Sequence, residues 1–235
     1  FPRVFTALRD ETVRPVDPPA AQVPQTAGLR RAQPGVVKVT GVAAACDRAL
    51  EGSGFVLRLR GDAALVVTNA HVVAGVVQPL VQPQGTGTRH PGRVVLYDPA
   101  RDVAVVEVPG LDAPALPVVG NLERGDPALV AGFPLDGPYT LATARVREVV
   151  EAGGRDVYDT ADVVRQVYAV YATVEPGNSG GPLLTEDGEV AGLVFARSVE
   201  HADTGYALTS QELAEALAGL DTATAAVPTG ACTAA

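Results

Sequence analysis

The sequence has no methionine and no tryptophan, and its 235 residues include a single lysine, Lys38. Because it lacks methionine and begins at Phe1, we expect it to be a processed protein or an excised domain rather than a complete translation product. No apolar run approaches the roughly 18 residues that cross a bilayer, and no signal peptide is recognisable. We therefore expect any targeting segment to lie upstream.

Positive charge is also scarce, since 18 basic residues face 27 acidic ones and the net charge is −9. A chain this acidic is a poor partner for nucleic acid or for an anionic membrane surface. Apolar residues make up 47% and charged residues 19%, which is typical of a packed globular protein. The dominance of arginine over lysine, with abundant Ala, Gly, Pro and Val, is typical of GC-rich genomes such as those of actinobacteria.

Cysteine is limited to Cys46 and Cys232, near opposite ends of the chain. With no CxxC pair and no His/Cys cluster, the sequence predicts neither a metal site nor a cofactor. The two cysteines are either inert thiols or one disulfide, and the even count favours the disulfide if the chain lies outside the cytoplasm. Such a bridge would close a very long loop and would stabilise the folded state by about 5 kcal/mol at most.

Short β-rich runs dominate from residue 36 onward, after a proline-rich stretch over residues 1–34. We interpret that stretch as a linker with no regular structure beyond a turn of helix at residues 6–10. Two sets of six strands are predicted, at residues 36–42, 54–59, 64–69, 76–82, 92–97 and 103–108, then at 127–133, 141–150, 166–173, 181–185, 189–195 and 205–208. Strands of this length and spacing indicate an all-β barrel or sandwich.

The remaining segments are a connector, a loop and a C-terminal helix. Residues 110–122 contain two prolines and predict the connector, while the acidic, glycine-containing residues 153–164 predict a mobile loop. The sequence TSQE at 209–212 is a capping box, flanked by Leu208 and Leu213 as a hydrophobic staple. Leucines recurring at helical spacing predict a helix of about three turns, followed by a polar tail.

A serine lies between glycines in the sequence GNSGGP at residues 177–182. Such a loop exposes the Ser179 hydroxyl and backbone N–H groups, as a nucleophile that stabilises its own oxyanion requires, although it is also an ordinary turn composition. His71 follows the predicted strand 64–69, and Asp102 opens the predicted strand 103–108. Each is also consistent with a strand-boundary residue, as we expect for Asp98, while His90 and His201 have surface surroundings.

Four motifs in order carry a resemblance to a known family: GSGF (52–55), TNAH (68–71), DVAV (102–105) and GNSGGP (177–182). Over about residues 36–220 the chain resembles the trypsin/chymotrypsin-like serine proteases, and within them the bacterial HtrA-like branch. The resemblance implies two perpendicular six-stranded antiparallel β-barrels with a short C-terminal α-helix. The barrels would span residues 35–117 and 118–208, with the helix and tail at 209–235.

The resemblance also implies roles for individual residues. His71 would act as general base and then acid, Asp102 would orient it, and Ser179 would be the acylated nucleophile. The oxyanion hole would be the N–H groups of Gly177 and Ser179, with Asn178 in the same loop. The substrate pocket would include Thr173, Phe195, Ala196, Arg197, Gly205 and Tyr206. Arg197 would either select an acidic side chain or point to solvent, and we favour solvent.

Two departures from the family narrow this resemblance. Asn178 stands where animal members have an aspartate that pairs with a freed N-terminal amine, so activation by that route is not expected. Too few residues follow Ser179 for the PDZ domain of HtrA proteins. The chain is thus similar to the membrane-anchored periplasmic acid-resistance proteases of actinobacteria, the MarP group. That group implies an upstream membrane region, a Cys46–Cys232 disulfide, protein or peptide substrates, and a role in envelope stress; we expect this fragment to be monomeric.

Two other functions remain open from the residues. The chain could be a peptide-binding, conformationally inactive domain of the same fold, with residues 153–164 gating a collapsed oxyanion loop. It could also be an esterase, since residues 177–181 match GxSxG literally. An esterase elbow precedes a helix, however, whereas a strand is predicted after Ser179.

Overall fold

The computed structural model describes residues 14–233, so the predicted helical turn at residues 6–10 lies outside the described residues. The first half forms one antiparallel sheet. Its strands are β1 (Val36–Ala43), β2 (Arg48–Arg60), β3 (Ala63–Thr68), β4 (Leu80–Pro83), β5 (His90–Pro91), β6 (Arg93–Asp98) and β7 (Val103–Pro109). The strand order is β5-β4-β1-β2-β3-β7-β6. The extra strand over the predicted six is the two-residue β5, which pairs with β4.

The second half forms a closed barrel in the order β10-β13-β12-β11-β8-β9. Its strands are β8 (Pro127–Gly132), β9 (Thr140–Arg155), β10 (Asp162–Tyr171), β11 (Pro182–Leu184), β12 (Val190–Arg197) and β13 (Thr204–Thr209). Alternating apolar side chains fill both interiors, as β-strand geometry requires. The predicted double-barrel architecture is confirmed.

A third cluster of buried side chains joins the barrels. It combines residues of the first sheet, such as Leu65 and Val105, with residues of the second, such as Leu129 and Leu193. The connector changes sheets at its middle: the Leu116 N–H donates to Val56 in β2, and Val190 in β12 donates to Pro117. The change of partner lies between Leu116 and Pro117, and the predicted domain boundary between residues 117 and 118 stays a prediction.

The proline-rich N-terminal stretch contains a helix that the sequence analysis missed, α1 (Ala27–Ala32). Thr26 caps it by accepting the Leu29 N–H at 3.1 Å. Leu29 and Ala32 are buried in the cluster between the barrels. The prediction of a structureless linker through residue 34 is wrong because so short a helix is stabilised by tertiary packing, which local propensity does not reveal.

The prediction of a loop at residues 153–164 is also wrong. β9 continues to Arg155 and β10 begins at Asp162, so only a short hairpin turn remains. The Asp156 carboxylate accepts the N–H of Tyr158 at 3.1 Å and the N–H of Thr160 at 2.8 Å. The Val157 N–H donates to Pro99 in the first half, so the hairpin is docked on the opposite barrel.

The C-terminal helix α3 (Ser210–Ala216) has two turns rather than the predicted three. Thr209 caps it by accepting the Glu212 N–H at 3.2 Å, as predicted. The Glu212 carboxylate does not complete the capping box; it accepts the Gln166 N–H and the Arg101 guanidinium instead. Within residues 14–233 no helix has the length and apolar character that spanning a membrane requires.

The tail after α3 returns to the first barrel. Val227 donates its N–H to Val94 in β6, and the Gly75 N–H donates to Thr229. Cys232 then forms a disulfide with Cys46, across a Cα–Cα distance of 6.5 Å. The favoured alternative for the two cysteines is therefore confirmed.

Candidate active site

His71 lies in a single helical turn, α2 (Ala70–Val73), directly after β3. Its Nδ1 is 2.7 Å from Asp102 Oδ2, and its backbone N–H donates to Asp102 Oδ1 at 2.9 Å. Asp102 is completely buried. A carboxylate that accepts at Nδ1 keeps the proton on that nitrogen, which leaves Nε2 of the neutral ring as an acceptor facing away from Asp102.

The Asp102 backbone is held in an unusual conformation. Its φ is +59°, in the left-handed region that non-glycine residues rarely occupy. The Asn69 side chain donates to the Asp102 carbonyl at 2.8 Å. Asp98 accepts the N–H groups of Ala100 and Arg101, which makes it the turn residue predicted. These bonds hold the turn that delivers the carboxylate to His71.

Arg165 supports the same turn from the other barrel and was missed by the sequence analysis. Its side chain, on β10, is 1% exposed and donates to the Ala100 carbonyl at 2.7 Å. Burial lowers the pKa of Arg165, while the charges of Asp102, Glu212 and other nearby carboxylates oppose that shift. The guanidinium therefore places a compensating positive charge behind the buried Asp102.

Ser53 holds the serine loop against the first barrel. Its N–H donates to the Ser179 carbonyl at 2.8 Å, and its hydroxyl donates to the Gly177 carbonyl at 2.6 Å. The same hydroxyl accepts the Phe133 N–H at 3.0 Å. The GSGF motif signalled this strand, but nothing in the local sequence indicates that Ser53 itself binds the loop.

Gly180 shows how closely the motifs fit together. A Cβ at this position would lie 2.1 Å from the Ser53 carbonyl oxygen and 2.3 Å from Thr68 Oγ1. Its φ of +84° also favours glycine. The GSGF, TNAH and GNSGGP motifs thus meet at this one glycine.

The Ser179 side chain is buried, and its hydroxyl donates to the Phe195 carbonyl at 3.3 Å. Phe195 lies at a bulge in β12, where the register with β13 shifts between Val194 and Ala196. Bulges of this kind re-aim backbone groups near active sites. Among residues 14–233 the Ser179 hydroxyl makes no hydrogen bond to His71; such bonds are often long before substrate binds.

A tight turn precedes Ser179. The Asn178 N–H donates to the Glu175 carbonyl at 3.0 Å, and Gly177 has a φ of +95°, which together define a type II turn with Pro176 in the second position. The Asn178 side chain closes the turn by accepting the Glu175 N–H at 2.9 Å. In the described part of the chain the N–H groups of Gly177 and Ser179 have no acceptor, so both are available to bind an anion.

The residues of the predicted substrate pocket differ in exposure. Phe195, Ala196 and Gly205 are buried, whereas Thr173 and Arg197 are exposed. Val174, which the sequence analysis did not single out, packs against Gly205, where a Cβ would meet its Cγ2 at 2.4 Å. The contacts that a substrate side chain would make with these residues stay a prediction.

The other two histidines do not join the site. His90 lies in β5, and His201 lies in the turn between β12 and β13, where its N–H donates to Ser198. Both are half-buried, rather than fully solvated. Across the described range, no group of three or more His, Cys, Asp or Glu side chains is arranged to hold a metal ion.

Comparison with known proteins places this geometry among peptidases. The family model of the trypsin-like peptidase domain matches residues 52–193. The serine protease Rv3671c of Mycobacterium tuberculosis is 38% identical over 235 residues, covering 99% of this chain and 57% of that protein. The Do-like serine protease HtrA of Lactococcus lactis is 30% identical over 186 residues, covering 73% of this chain and 45% of that protein. The chain thus spans little more than half the length of these curated relatives, or less.

Solved structures give the same result. The crystal structure of the Rv3671c protease in its active form has a TM-score of 0.88 at 39% identity, covering 94% of this chain and 96% of that one. The inactive form of that protease has a TM-score of 0.76 at 37% identity, covering 90% and 100%. The similarity therefore extends over nearly the whole chain.

Proposed function

The chain belongs to the trypsin-like peptidase family and carries a serine endopeptidase domain, and we propose that it cleaves peptide bonds through an acyl-enzyme on Ser179. His71 is the general base and acid of this reaction, and Asp102 is the carboxylate that orients it. The observation that carries the proposal is the 2.7 Å contact between His71 Nδ1 and the buried Asp102 carboxylate. That contact makes Nε2 the basic nitrogen at the cleft.

Acylation follows from these positions. Nε2 of His71 removes the hydroxyl proton as Ser179 Oγ attacks the carbonyl carbon of the scissile bond. The carbonyl electrons move to oxygen, and the N–H groups of Gly177 and Ser179 stabilise the resulting oxyanion. When the tetrahedral intermediate collapses, the C–N bond breaks and the leaving amine takes the proton from His71.

Deacylation reverses the roles with water as the nucleophile. His71 removes a proton from water as its oxygen attacks the acyl carbon, and a second oxyanion forms at the same N–H groups. The C–O bond to Ser179 then breaks, and the serine oxygen recovers its proton from His71. Asp102 remains ionised throughout and stabilises the imidazolium formed in each half of the reaction.

We further propose that the domain works outside the cytoplasm, in envelope stress or acid tolerance, tethered by a membrane segment upstream. The Cys46–Cys232 disulfide supports an oxidising compartment. The similarity to the HtrA and Rv3671c proteases supports protein or peptide substrates. Loss of acid survival in a deletion strain, restored by the wild-type gene but not by Ser179→Ala, would test the physiological role.

A second function has one observation in its favour. Because the Ser179 hydroxyl donates to Phe195 and not to His71, the same fold could bind extended peptides along β12 without cleaving them. The two functions predict opposite results for a reactive serine probe.

The test combines covalent labelling with a peptide library. The folded wild-type domain should be labelled at Ser179 by a fluorophosphonate and should cleave library peptides, while Ser179→Ala should do neither and still fold. His71→Ala should abolish labelling as well, because the hydroxyl then has no base. A folded wild-type protein that binds peptides but is neither labelled nor active would favour the peptide-binding function.

A further inference from the structure

Lys38, the only lysine of the chain, contacts the turn that follows β8. It belongs to β1 of the first barrel, and its side chain is 8% exposed. The ammonium donates to the backbone carbonyl of Asp136 at 2.9 Å and forms an ion pair with the Asp136 carboxylate. Asp136 follows β8, so a single buried cation connects the two barrels at this point.

The segment that Lys38 holds has a strained backbone. It is the short turn Pro134–Asp136, in which Leu135 has a φ of +54° and Asp136 a φ of +58°. Neither residue is glycine, and the left-handed conformation is strained for residues that carry a Cβ. Two such residues in succession persist only where surrounding contacts hold them.

The strained segment also fixes the Pro176–Gly177 peptide, which carries one N–H group of the oxyanion hole. The Leu135 N–H donates to the Pro176 carbonyl at 2.7 Å. In a trans peptide the carbonyl and the following N–H point in opposite directions, so this bond turns the Gly177 N–H away from Leu135. If the peptide rotated, as between type II and type I turns, the Pro176 carbonyl would replace the Gly177 N–H as the group facing the oxyanion.

We propose that Lys38 is a positioning residue for the oxyanion hole, acting through Asp136 and Leu135 on the Pro176–Gly177 peptide. The proposal rests on the proposed role of Ser179 as nucleophile. Lys38 does not contact the reacting atoms; its bonds keep the strained turn in the one conformation that presents the Leu135 N–H to Pro176. Lys38 thereby favours the state in which the Gly177 N–H is available to the oxyanion.

The charges around Lys38 support this arrangement. The ammonium lowers the pKa of Asp136, whereas burial and the charge of Asp136 raise the pKa of Glu51, which lies on β2 beside it. The charge of Arg89 also lowers the pKa of Asp136. Lys38 is thus the buried cation next to two carboxylates, and its removal would leave those carboxylates to repel each other at the base of the turn.

The first experiment compares Lys38→Met with Lys38→Arg and Arg93→Met in the protein with its disulfide intact. Arg93→Met is the matched control, since it removes an ion pair with Glu107 in the same barrel. We expect Lys38→Met to lower kcat about 10- to 100-fold with little change in KM, because one oxyanion donor is worth on the order of 100-fold. Lys38→Arg should restore much of the loss, and Arg93→Met should retain wild-type activity.

The inhibition constant of a peptide aldehyde distinguishes the two possible roles of Lys38. It should change if Lys38 positions the oxyanion hole, and it should not change if Lys38 only stabilises the fold. The aldehyde forms a hemiacetal with Ser179 whose oxygen occupies the oxyanion hole, so Lys38→Met should weaken inhibition by the same factor as kcat. Binding of an uncleaved peptide, measured on Ser179→Ala with and without Lys38→Met, should be unchanged. An equal loss of peptide binding, or an unchanged kcat and aldehyde inhibition, would overturn the proposal.

A second pair of variants tests the backbone itself and remains available if Lys38→Met does not fold. Asp136 is 65% exposed, and glycine adopts its left-handed conformation without penalty. We expect Asp136→Ala to lower kcat as Lys38→Met does, and Asp136→Gly to retain more activity despite losing the same carboxylate. Equal activity of the two Asp136 variants would contradict the mechanism. An inactive wild type, unlabelled at Ser179, would instead refute the proposed function.

Discussion

The two barrels differ in whether their sheets have unpaired edge strands. The second barrel closes on itself, so every one of its strands is paired on both sides. The first sheet ends at β5 and β6. Exposed edges invite pairing with other chains, and here the C-terminal tail covers β6 through the bond from Val227 to Val94. Residues that follow the second barrel therefore cover one edge of the first, and the disulfide attaches them.

The barrels also contribute different parts of the site and hold each other's parts in place. His71 and Asp102 lie on turns of the first barrel, whereas Ser179 lies on a loop of the second. Ser53 of the first barrel binds the serine loop, and Arg165 of the second binds the turn before Asp102. A change made in one barrel should therefore be detectable in the other.

The largest expected effect is on catalysis and concerns Asp102, which the first barrel contributes to the site. Asp102→Asn should lower kcat about 10⁴-fold, because an amide no longer fixes the proton on His71 Nδ1. Substrate affinity and the melting temperature should change far less. Steady-state kinetics on a peptide substrate measure the effect, with Asp98→Asn as the control for the neighbouring turn carboxylate. A loss below tenfold would contradict the role given to Asp102.

The next effect should be concentrated where the C-terminal tail packs. Replacing both cysteines, Cys46→Ser with Cys232→Ser, should lower the free energy of unfolding by up to about 5 kcal/mol. Hydrogen exchange should show lost protection in β6, which the tail covers, and in the β9–β10 hairpin, whose Tyr158 hydroxyl donates to Thr229 of the tail, while β12 keeps its protection. Reductant should reproduce the change in wild type; an unchanged melting temperature on reduction would contradict the prediction.

A third change tests how α1 packs in the cluster of buried side chains between the barrels. Leu29→Ala should lower the free energy of unfolding by about 3 kcal/mol, because it opens a cavity in the cluster between the barrels. Leu59→Ala is the matched control, since Leu59 is 58% exposed and should contribute little. Denaturant unfolding of both variants measures the difference. Equal stabilities would mean that α1 does not contribute to the core.

The smallest effect concerns the end of the second barrel, where β13 passes into α3. Thr209→Ala removes the helix cap and should lower the free energy of unfolding by about 1 kcal/mol. Thr222→Ala, which removes an exposed hydroxyl bond in the tail, should leave it nearly unchanged. Thermal unfolding compares the two; a Thr209→Ala variant as stable as the Thr222→Ala control would show that the cap is unimportant.

Local sequence predicted the strands well because most of them are short apolar runs, rich in valine and bounded by turn residues. β3 and β13 are buried along their whole length, so both of their faces pack against other parts of the chain. Local sequence failed at the β9–β10 hairpin, where Gly153 and Gly154 are poor strand formers. There the cross-strand ladder and the docking of Val157 on Pro99 override local preference. It failed at α1 for the corresponding reason, since six residues make a helix only when Leu29 is buried against another part of the chain.

By itself the sequence determined which residues the candidate site combines: a serine between glycines, a histidine after one strand and an aspartate before another, in that order. Those signals are local, since each depends on residues that are neighbours along the chain. Only the tertiary structure decided which side chains hold the chemistry in place. Ser53 meets Gly177 across 124 positions, and Lys38 meets Asp136 across 98, so their roles arise where the barrels pack together and no spacing along the chain encodes them.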